Sequence, residues 1–375
     1  MRTRSASGRF RVGEHVVELR APRLSDADSW RRTCLEHEER LRPAFGQANA
    51  DWRKEHSSTA WADKWWSART DPFVVHSRVL IAGDGAGARV VGQVEHVGPD
   101  PRTGHLESSI WIAGMPRSSP SIAQWALAIC VLDIFLALPD VPRIVAPACV
   151  QNRAAATLAE SVGFQHVQTL RRLREYAGEP ADHAIYAIEN TSEARARLAA
   201  TLDAIGAVPL PRRRAAAPSP AATFGAARLG ARKVRVRMRP SRPEEALHAL
   251  PRVTGTGDAT TVEFEPGRDG LYEAHVDGRP AGAAQISVDL GTSTTEIIDR
   301  TAHEVPDGTA DAVIIAACRA AAERQDTRRL TIAAADPSPH LTDALATIGF
   351  RREGTTWPTR GDESTPRVTW TRLRE

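Results

Sequence analysis

Short runs in which apolar positions dominate or alternate with polar ones recur along the first half of the chain. VVELR (16–20) alternates with the period of two that predicts a β-strand, and VVGQVEHV (90–97), LESSIWIA (106–113) and PRIVAPACV (142–150) predict further strands. A long apolar run predicts a helix from about Ser121 to Leu138, and the alanine-rich run after Asn152 predicts a second helix that stops at Gly163 and Phe164. Strands and helices mixed in this order indicate the α+β class, with mostly antiparallel twisted sheets flanked by helices.

The same landmarks return in the same order in the second half of the chain. VVELRAPRLSDADSW (16–30) resembles VRVRMRPSRPEEALHAL (234–250), and VVGQVEHV resembles PAGAAQISV (280–288). LESSIWIA resembles TEIIDRTA (295–302), and SVGFQHV (161–167) resembles TIGFRRE (347–353). Four landmarks in one order predict a divergent tandem duplication.

The segment between the two copies differs in composition from both. It starts with a charged helical stretch and continues as a sequence rich in Ala, Pro and Arg without an apolar period, which is typical of a linker. We therefore predict a first domain at 1–190, a helix plus linker at 191–231, and a second domain at 232–375. Arg235, Arg237 and Arg239 either face water on a strand or form, with the arginines at 212–214, a stripe that binds RNA; we prefer the solvated face.

Composition narrows the protein class only a little. The 375 residues are too many for one ordinary core, and the net charge is +3. Only three of the 49 basic residues are lysines, so the many arginines suggest a codon bias rather than nucleic-acid binding. The four cysteines lie far apart, and neither they nor the histidines have metal-ligand spacing. We expect a cytoplasmic protein with no metal, no signal peptide and no membrane helix.

The landmarks of the first half also identify a family. The residues that carry the resemblance are Asn152, Gly163, Phe164, Asp182, His183 and Tyr186. Their order resembles the GNAT superfamily of acyl-coenzyme A-dependent N-acyltransferases, and the first half is most similar to the ribosomal-protein-type (Rim-like) branch. The resemblance covers about residues 15–190, and more weakly 232–358.

The resemblance implies acetyl-CoA as the acyl donor and a loop before the long helix that holds its phosphates. Members of the family carry R/Q-x-x-G-x-G/A there, whereas this chain has GMPRSSPSIA, with serines in place of the Arg or Gln and the central Gly. The serine hydroxyls either replace the missing groups or simply start the helix, with Ser119 as its cap. The coenzyme contacts implied by the resemblance are Ile112, Arg117, Ser118, Ser119, Ser121, Ile122, Ala123 and Asn152.

Glu107 is the predicted catalytic residue, because relatives often carry an acidic residue at this strand position. A carboxylate there could take the proton of the attacking amine, directly or through a water, although a lone Glu can equally well face solvent. The second half keeps Glu296 but has Ser338 in place of the Asn and Val305 in the phosphate loop. The first half is therefore the better candidate for activity.

We expect an acetyl-CoA-dependent N-acetyltransferase whose first domain is catalytic and whose second domain is structural or shapes the substrate site. The acceptor would be an amine-bearing small molecule or a protein N-terminus, in a monomer or homodimer. Two alternatives remain: a non-catalytic pair of GNAT folds that acts as a scaffold, and an aminoacyl transferase that uses a charged transfer RNA. Nucleic acid is not the favoured partner.

Overall fold

The computed structural model describes residues 7–46, 50–72, 74–83, 87–100, 103–115, 120–211, 220, 223, 254–257, 260–266, 271–276, 279–289, 294–299, 309–322, 328–335, 337–357 and 366–374. The chain divides into two compact units. The first consists of Met1–Val167 with Glu175–Pro240, and the second of Gln168–Arg174 with Ser241–Glu375. The domain boundaries predicted at 190 and 232 stay predictions.

The first sheet has nine strands and contains all four strands predicted from the short runs of the first half. The strands are β1 (Gly8–Val12), β2 (His15–Arg20), β3 (Val74–Ala82), β4 (Arg89–Val97), β5 (Leu106–Ile112), β6 (Arg143–Cys149), β7 (Gln165–Tyr176), β8 (Glu179–Glu189) and β9 (Val208–Leu210). Their order in the sheet is β7-β8-β6-β5-β4-β3-β2-β1-β9. Strands β5 and β6 run parallel, whereas β2, β3, β4 and β5 pair in antiparallel succession.

Helices cover both faces of this sheet. They are α1 (Ala27–Glu36), α2 (Glu38–Phe45), α3 (Trp52–Glu55), α4 (Ser58–Thr70), α5 (Pro120–Ala137), α6 (Arg153–Val162) and α7 (Ser192–Ile205). Helices α1 and α4 pack on one face through Trp30 and Trp61, which lie in one core cluster with Val79 and Val90. Helix α5 packs on the other face and is apolar on nearly every side, because α6 and α7 cover the part of it that the sheet does not.

Helix α6 has the two ends that its sequence predicts. The side chain of Asn152 accepts a hydrogen bond from the Ala155 N–H at 3.2 Å, which caps the first turn. Gly163 ends the helix with φ of 99°, a left-handed conformation that favours glycine. Phe164 follows and is buried in the core beneath the sheet. The hydrophobic pattern and both caps therefore predict the same bounds for this helix.

The second unit contains a sheet of eight strands. Its strands are β10 (Thr254–Gly257), β11 (Thr260–Pro266), β12 (Leu271–Val276), β13 (Arg279–Asp289), β14 (Thr294–Asp299), β15 (Arg329–Ala335), β16 (Arg351–Thr356) and β17 (Arg367–Leu373). Two of its helices are α8 (Thr309–Ala322) and α9 (Pro339–Thr347). The buried residues Val313–Cys318 of α8 form the centre of the second core, together with Leu330, Ile332 and Trp370.

The two sheets have the same topology. Read from one edge, the second is β16-β17-β15-β14-β13-β12-β11-β10, which matches the first from β7 to β1. Each sheet also has a β-bulge at the same place: Val91 is the extra residue on β4, and Ala281 is the extra residue on β13. The α+β class predicted for both halves is confirmed. The landmark at 234–250 lies outside the described residues.

The ends of α9 repeat those of α6. Ser338 caps α9 by accepting the Leu341 N–H at 3.0 Å, at the position of Asn152. Gly349 has φ of 88°, and Phe350 behind it is buried, as Gly163 and Phe164 are. Three of the four landmark pairs thus lie on corresponding strands and helices, which supports a duplicated plan.

Candidate active site

Strands β5 and β6 part soon after they meet. Their parallel pairing consists of Leu106 opposite Ile144 and Glu107 opposite Val145. Beyond Glu107, β5 continues to Ile112 paired with β4, while β6 continues to Cys149 paired with β8. In the described part of the first unit, the sheet is therefore open between β5 and β6 on the carboxyl-terminal side of Glu107. We call this gap the strand opening.

Every second residue of β5 directs its backbone N–H and C=O groups toward the strand opening. The Ala113 N–H donates to the Val91 carbonyl at 2.7 Å, which fixes the set of β5 residues that hydrogen-bond to β4. Because such residues alternate in an antiparallel pair, Ser108, Ile110 and Ile112 direct their N–H and C=O groups away from β4. An open strand edge of this kind can pair with an extended ligand through main-chain hydrogen bonds. Ile112, a predicted coenzyme contact, lies on this edge.

Glu107 projects to the face of the sheet that α1 and α4 cover, since side chains alternate along β5 and Trp111 packs into that core cluster. It is half-buried. Glu95 lies on the same face of the neighbouring strand, opposite Ser109 and diagonal to Glu107. A second carboxylate thus lies beside the predicted catalytic one.

Hydrogen bonds hold this second carboxylate in place. Oε1 of Glu95 accepts from Nε2 of Gln93 at 2.6 Å and from Oγ of Ser77 at 3.1 Å. Both donors are buried, so the carboxylate is oriented by side chains that have little freedom to move. Glu95 is not among the site residues predicted from the sequence. The alternation in VGQVEHV places Gln93 and Glu95 on one face, but which face that is depends on the register with β5.

The first turn of α5 lies on the chain shortly after β5. Ser121 and Ala123 are half-buried, whereas the Ile122 side chain is buried in the core at 1% exposure. Ile122 can therefore offer only its backbone N–H to a ligand, as do the other first-turn amides of a helix. The helix begins at Pro120, one residue earlier than predicted. Arg117, Ser118 and Ser119 lie outside the described residues.

Asn152 follows the end of β6 and caps the start of α6. Its Oδ1 is the helix cap, so its predicted contact with the coenzyme would come in addition to this structural role. On the closing strand β8, Asp182 is exposed and His183 is buried, with its Nδ1 2.9 Å from the Ala181 carbonyl. Tyr186 is buried, and its hydroxyl donates to Glu160 of α6 at 3.5 Å.

The thiols of the chain are poorly suited to covalent catalysis. All four cysteines are buried. Burial raises the pKa of Cys34 to about 12, and it raises those of Cys130 and Cys318 as well, so these thiols stay protonated. Among the described residues no cluster of His, Cys, Asp or Glu has the geometry of a metal site. The described helices include none that is long and apolar enough to cross a membrane.

A cavity of about 250 Å³ lies in the first unit beside the end of β2. Its charged lining consists of Glu18, Arg20, Arg23 and Arg69. Arg20 is tied to Asp26 by two hydrogen bonds of 2.9 and 2.6 Å, and Asp26 also accepts the Arg23 N–H. This buried pair joins β2 to the start of α1 and is structural. None of the predicted site residues that the structure describes lines the cavity.

Comparison with known proteins assigns the first half to a family. Residues 19–185 match the family model described as Acetyltransferase (GNAT) domain. This region is a GNAT acetyltransferase domain, and the predictions of GNAT membership and of an acyltransferase enzyme are confirmed for it. No curated protein matches the chain.

Several solved structures are similar to the chain. Mycobacterium smegmatis RimJ in complex with CoA-disulfide is 27% identical, over 54% of this chain and 96% of that one, with a TM-score of 0.45. Ribosomal-protein-S5-alanine acetyltransferase from Vibrio fischeri is 15% identical, over 49% and 97%, with a TM-score of 0.41. RimL, the ribosomal L7/L12 alpha-N-protein acetyltransferase in complex with coenzyme A, is 15% identical, over 48% and 97%, with a TM-score of 0.38.

Proposed function

We propose that the first unit transfers an acetyl group from acetyl-CoA to a primary amine by direct attack within a ternary complex. The observation that carries this proposal is the strand opening, whose free edge begins immediately after Glu107. The match of residues 19–185 to a GNAT acetyltransferase domain supports the reaction class. The absence of a nucleophilic thiol among the buried cysteines agrees with direct transfer.

The described residues fit the donor. An acyl-pantetheine arm carries amide groups along an extended chain, and the polar backbone groups of Ser108, Ile110 and Ile112 can pair with it. The first-turn N–H groups of Ser121, Ile122 and Ala123 would hold a phosphate, because a helix N-terminus favours negative charge. Acetyl-CoA supplies the thioester and its thiol leaving group.

Two residues in this arrangement would act on the amine. Glu107 accepts a proton from the attacking ammonium, directly or through a water. Glu95, fixed by Gln93 and Ser77, adds a second negative charge on the same face and favours a cationic acceptor. A backbone N–H of the open edge stabilises the negative charge that develops on the acyl oxygen. The acceptor class is therefore an amine that arrives as an ammonium, on a small molecule or at a protein N-terminus.

We assign the second unit a structural or substrate-shaping role. Its strands β14 and β15 stay paired from Thr294 opposite Arg329 to Ile298 opposite Ala333, so the described residues leave no opening like that between β5 and β6. A scaffold role for this unit is the second candidate. The basic residues behind the RNA-dependent alternative lie outside the described residues, and that function is not proposed.

Thermal unfolding of the whole protein with acetyl-CoA tests where the donor binds. At about 100 times the dissociation constant, the donor should stabilise the protein by about 2.7 kcal/mol. Asn152→Ala and the matched variant Ser338→Ala each remove a helix cap and should each cost about 1 kcal/mol. Only Asn152→Ala should also weaken the stabilisation by acetyl-CoA. Equal stabilisation by acetyl-CoA in the two variants would contradict binding of the donor to the first unit.

Turnover tests the reaction. Thiol release from acetyl-CoA is followed with spermidine, lysine, glucosamine and a peptide with a free N-terminal alanine as acceptors. Glu107→Gln should lower kcat by about 100-fold or more, because the amide cannot accept the proton. Acetyl-CoA binding without turnover of any acceptor would favour the scaffold role.

A further inference from the structure

Three polar side chains form a row across the first sheet, on the face opposite Glu107. His76 of β3 pairs with His96 of β4, and His96 pairs with Ser108 of β5. The His96–Ser108 pair falls between the residues that hydrogen-bond β4 to β5, and side chains at such positions come closest together. We call these residues the histidine track.

The side chains of the histidine track are buried, and within the described residues their polar atoms lack hydrogen-bond partners. The exposed fractions of His76, His96 and Ser108 are 7%, 0% and 6%. Within the described residues, both ring nitrogens of each histidine and the Ser108 hydroxyl have no hydrogen-bond partner. Buried polar atoms nearly always have a partner in folded proteins, and internal water supplies it where the protein does not. The row therefore indicates a hydrated line of donors and acceptors inside the core.

One end of the histidine track lies at the strand opening, and the other lies near the carboxylate of Asp133. Ser108 is the first residue of β5 beyond its last pairing with β6, so it lies at the mouth of the strand opening. At the other end, Nε2 of His76 lies 3.7 Å from a carboxylate oxygen of Asp133, too far for a direct hydrogen bond. The Asp133 side chain is 27% exposed, although it belongs to the apolar helix α5. The track thus runs from the opening to a carboxylate in contact with solvent.

The surroundings keep both imidazoles neutral. Burial lowers the pKa of His76, and the charge of Arg78 acts in the same direction while Asp133 opposes it. Burial lowers the pKa of His96 well below its ordinary value, with the charges of His76 and Arg78 adding to the effect. Among the described residues, the buried thiol of Cys130 on α5 also faces Arg78 and Asp133. A neutral imidazole has one donor and one acceptor nitrogen, which is what passing a proton along a row requires.

Acyl transfer to an ammonium leaves one proton to remove. The new C–N bond forms as the C–S bond breaks, and the nitrogen loses two protons in becoming an amide. One of these protons ends on the thiol, and the other must reach solvent. We propose that Glu107 passes this proton through the strand opening to Ser108, and that His96, His76 and Asp133, bridged by internal water, carry it on to solvent. The proposal rests on the acetyltransferase function proposed above and assigns Ser108 and the residues that follow it along the path as positioning residues rather than as the catalytic base.

Exchange of the ring N–H groups with solvent tests the path without any acceptor. In the whole protein labelled with ¹⁵N-histidine, the His96 ring proton should exchange much faster than the backbone N–H of Val94 on the same strand. Asp133→Leu closes the solvent end with an apolar residue that suits α5, and it should abolish the fast exchange. Ring exchange as slow as that of the Val94 amide would mean a dry core and would overturn the proposal.

Turnover tests whether the reaction uses the path. His96→Gln keeps a polar side chain of similar length but cannot relay a proton, and we expect kcat to fall by about 100-fold. The solvent deuterium isotope effect on kcat should rise, while the KM for acetyl-CoA and its thermal stabilisation stay unchanged. The matched control is His340→Gln, at an exposed position on α9, which should leave kcat and the isotope effect as they are.

The outcomes separate the two proposals. Wild-type protein that binds no acetyl-CoA and acetylates no amine would refute the acetyltransferase proposal, and with it the purpose of the track. A working enzyme whose His96→Gln variant keeps its kcat and isotope effect would refute the track alone. A stability loss in His96→Gln without a change in isotope effect would assign these residues a structural role.

Discussion

The two units place a parallel strand pair at the same point of the same topology, yet the pairs differ in length. Strands β5 and β6 pair at two positions and then separate, whereas β14 and β15 pair at five successive positions. The strand order, the bulge on the preceding strand and the caps of the following helix are shared. A fold can therefore be kept while the opening that would hold a ligand is closed.

The ion pairs made by the first residues of β6 and β15 also differ between the two units. Arg143 opens β6 and bonds Glu189, whose side chain is 48% exposed, with its Nε 3.0 Å from the carboxylate. Arg329 opens β15 and is paired with Glu353, and both side chains are 1% exposed. Thr371 of β17 also donates to Glu353 at 2.7 Å. In the second unit, β15 is therefore held by a buried polar network. In the first unit, β6 is held by an ion pair whose carboxylate is half-exposed.

The largest expected effect comes from breaking the buried network. Glu353→Ala leaves the Arg329 guanidinium buried without its counter-charge, which should cost about 3–5 kcal/mol of unfolding free energy. The matched change Glu189→Ala removes a half-exposed partner and should cost about 1 kcal/mol or less. Calorimetry of the whole protein measures both. Similar losses for the two variants would contradict the contrast between a buried and a surface pair.

Acid should release part of the same stabilisation. Burial alone would raise the pKa of Glu353, but the hydrogen bonds and charge of Arg329, with the Thr371 hydroxyl, outweigh it and lower that pKa. A carboxyl whose folded-state pKa is depressed stabilises the fold above its unfolded pKa, near 4.3, and loses this stabilisation as the pH falls through the folded value. Unfolding free energy measured from pH 7 downward should fall less steeply in Glu353→Gln than in the wild type. Parallel curves would show that this carboxyl does not couple to folding.

A substitution with a smaller expected effect tests the strand opening of the first unit. A Cβ at Gly92 of β4 would lie 2.6 Å from the Trp111 carbonyl oxygen and 3.0 Å from Ile112, on the strand that borders the opening. Gly92→Ala should cost about 1–3 kcal/mol and weaken stabilisation by acetyl-CoA, because β5 must shift to make room. Gly87→Ala is the control, since its Cβ would meet nothing within 4 Å. Unchanged stabilisation by acetyl-CoA in Gly92→Ala would argue that the donor does not lie along β5.

Much of the fold could be predicted from local sequence signals. Short strand-like runs located β2, β4, β5 and β6, and the Asn before α6 with Gly-Phe after it predicted both helix ends. These signals act within a few residues and depend on the physics of strands and caps. The duplication was visible because the same signals recur, although the pair at 234–250 lies outside the described residues.

The site was less predictable because it depends on register between strands far apart in sequence. Glu107 could be selected from a family position, but its neighbour Glu95 and the histidine track follow from the pairing of β3, β4 and β5. A one-residue slip would move all of these side chains to the other face. The length of pairing between β5 and β6, which separates the two units, likewise leaves no mark in either strand's own pattern.

The smallest expected effect tests whether the two helix ends are equivalent. Gly163 and Gly349 both have positive φ and open space where a Cβ would lie, with the nearest atoms 3.9 and 3.7 Å away. Alanine at either site should cost about 1 kcal/mol, because a Cβ disfavours the left-handed conformation whatever the space. Since both glycines lie at the far end of the helix from Asn152 or Ser338, neither variant should change stabilisation by acetyl-CoA. Denaturant unfolding that gives clearly unequal losses would show that α6 and α9 do not end in the same way, and would weaken the case for a duplicated plan.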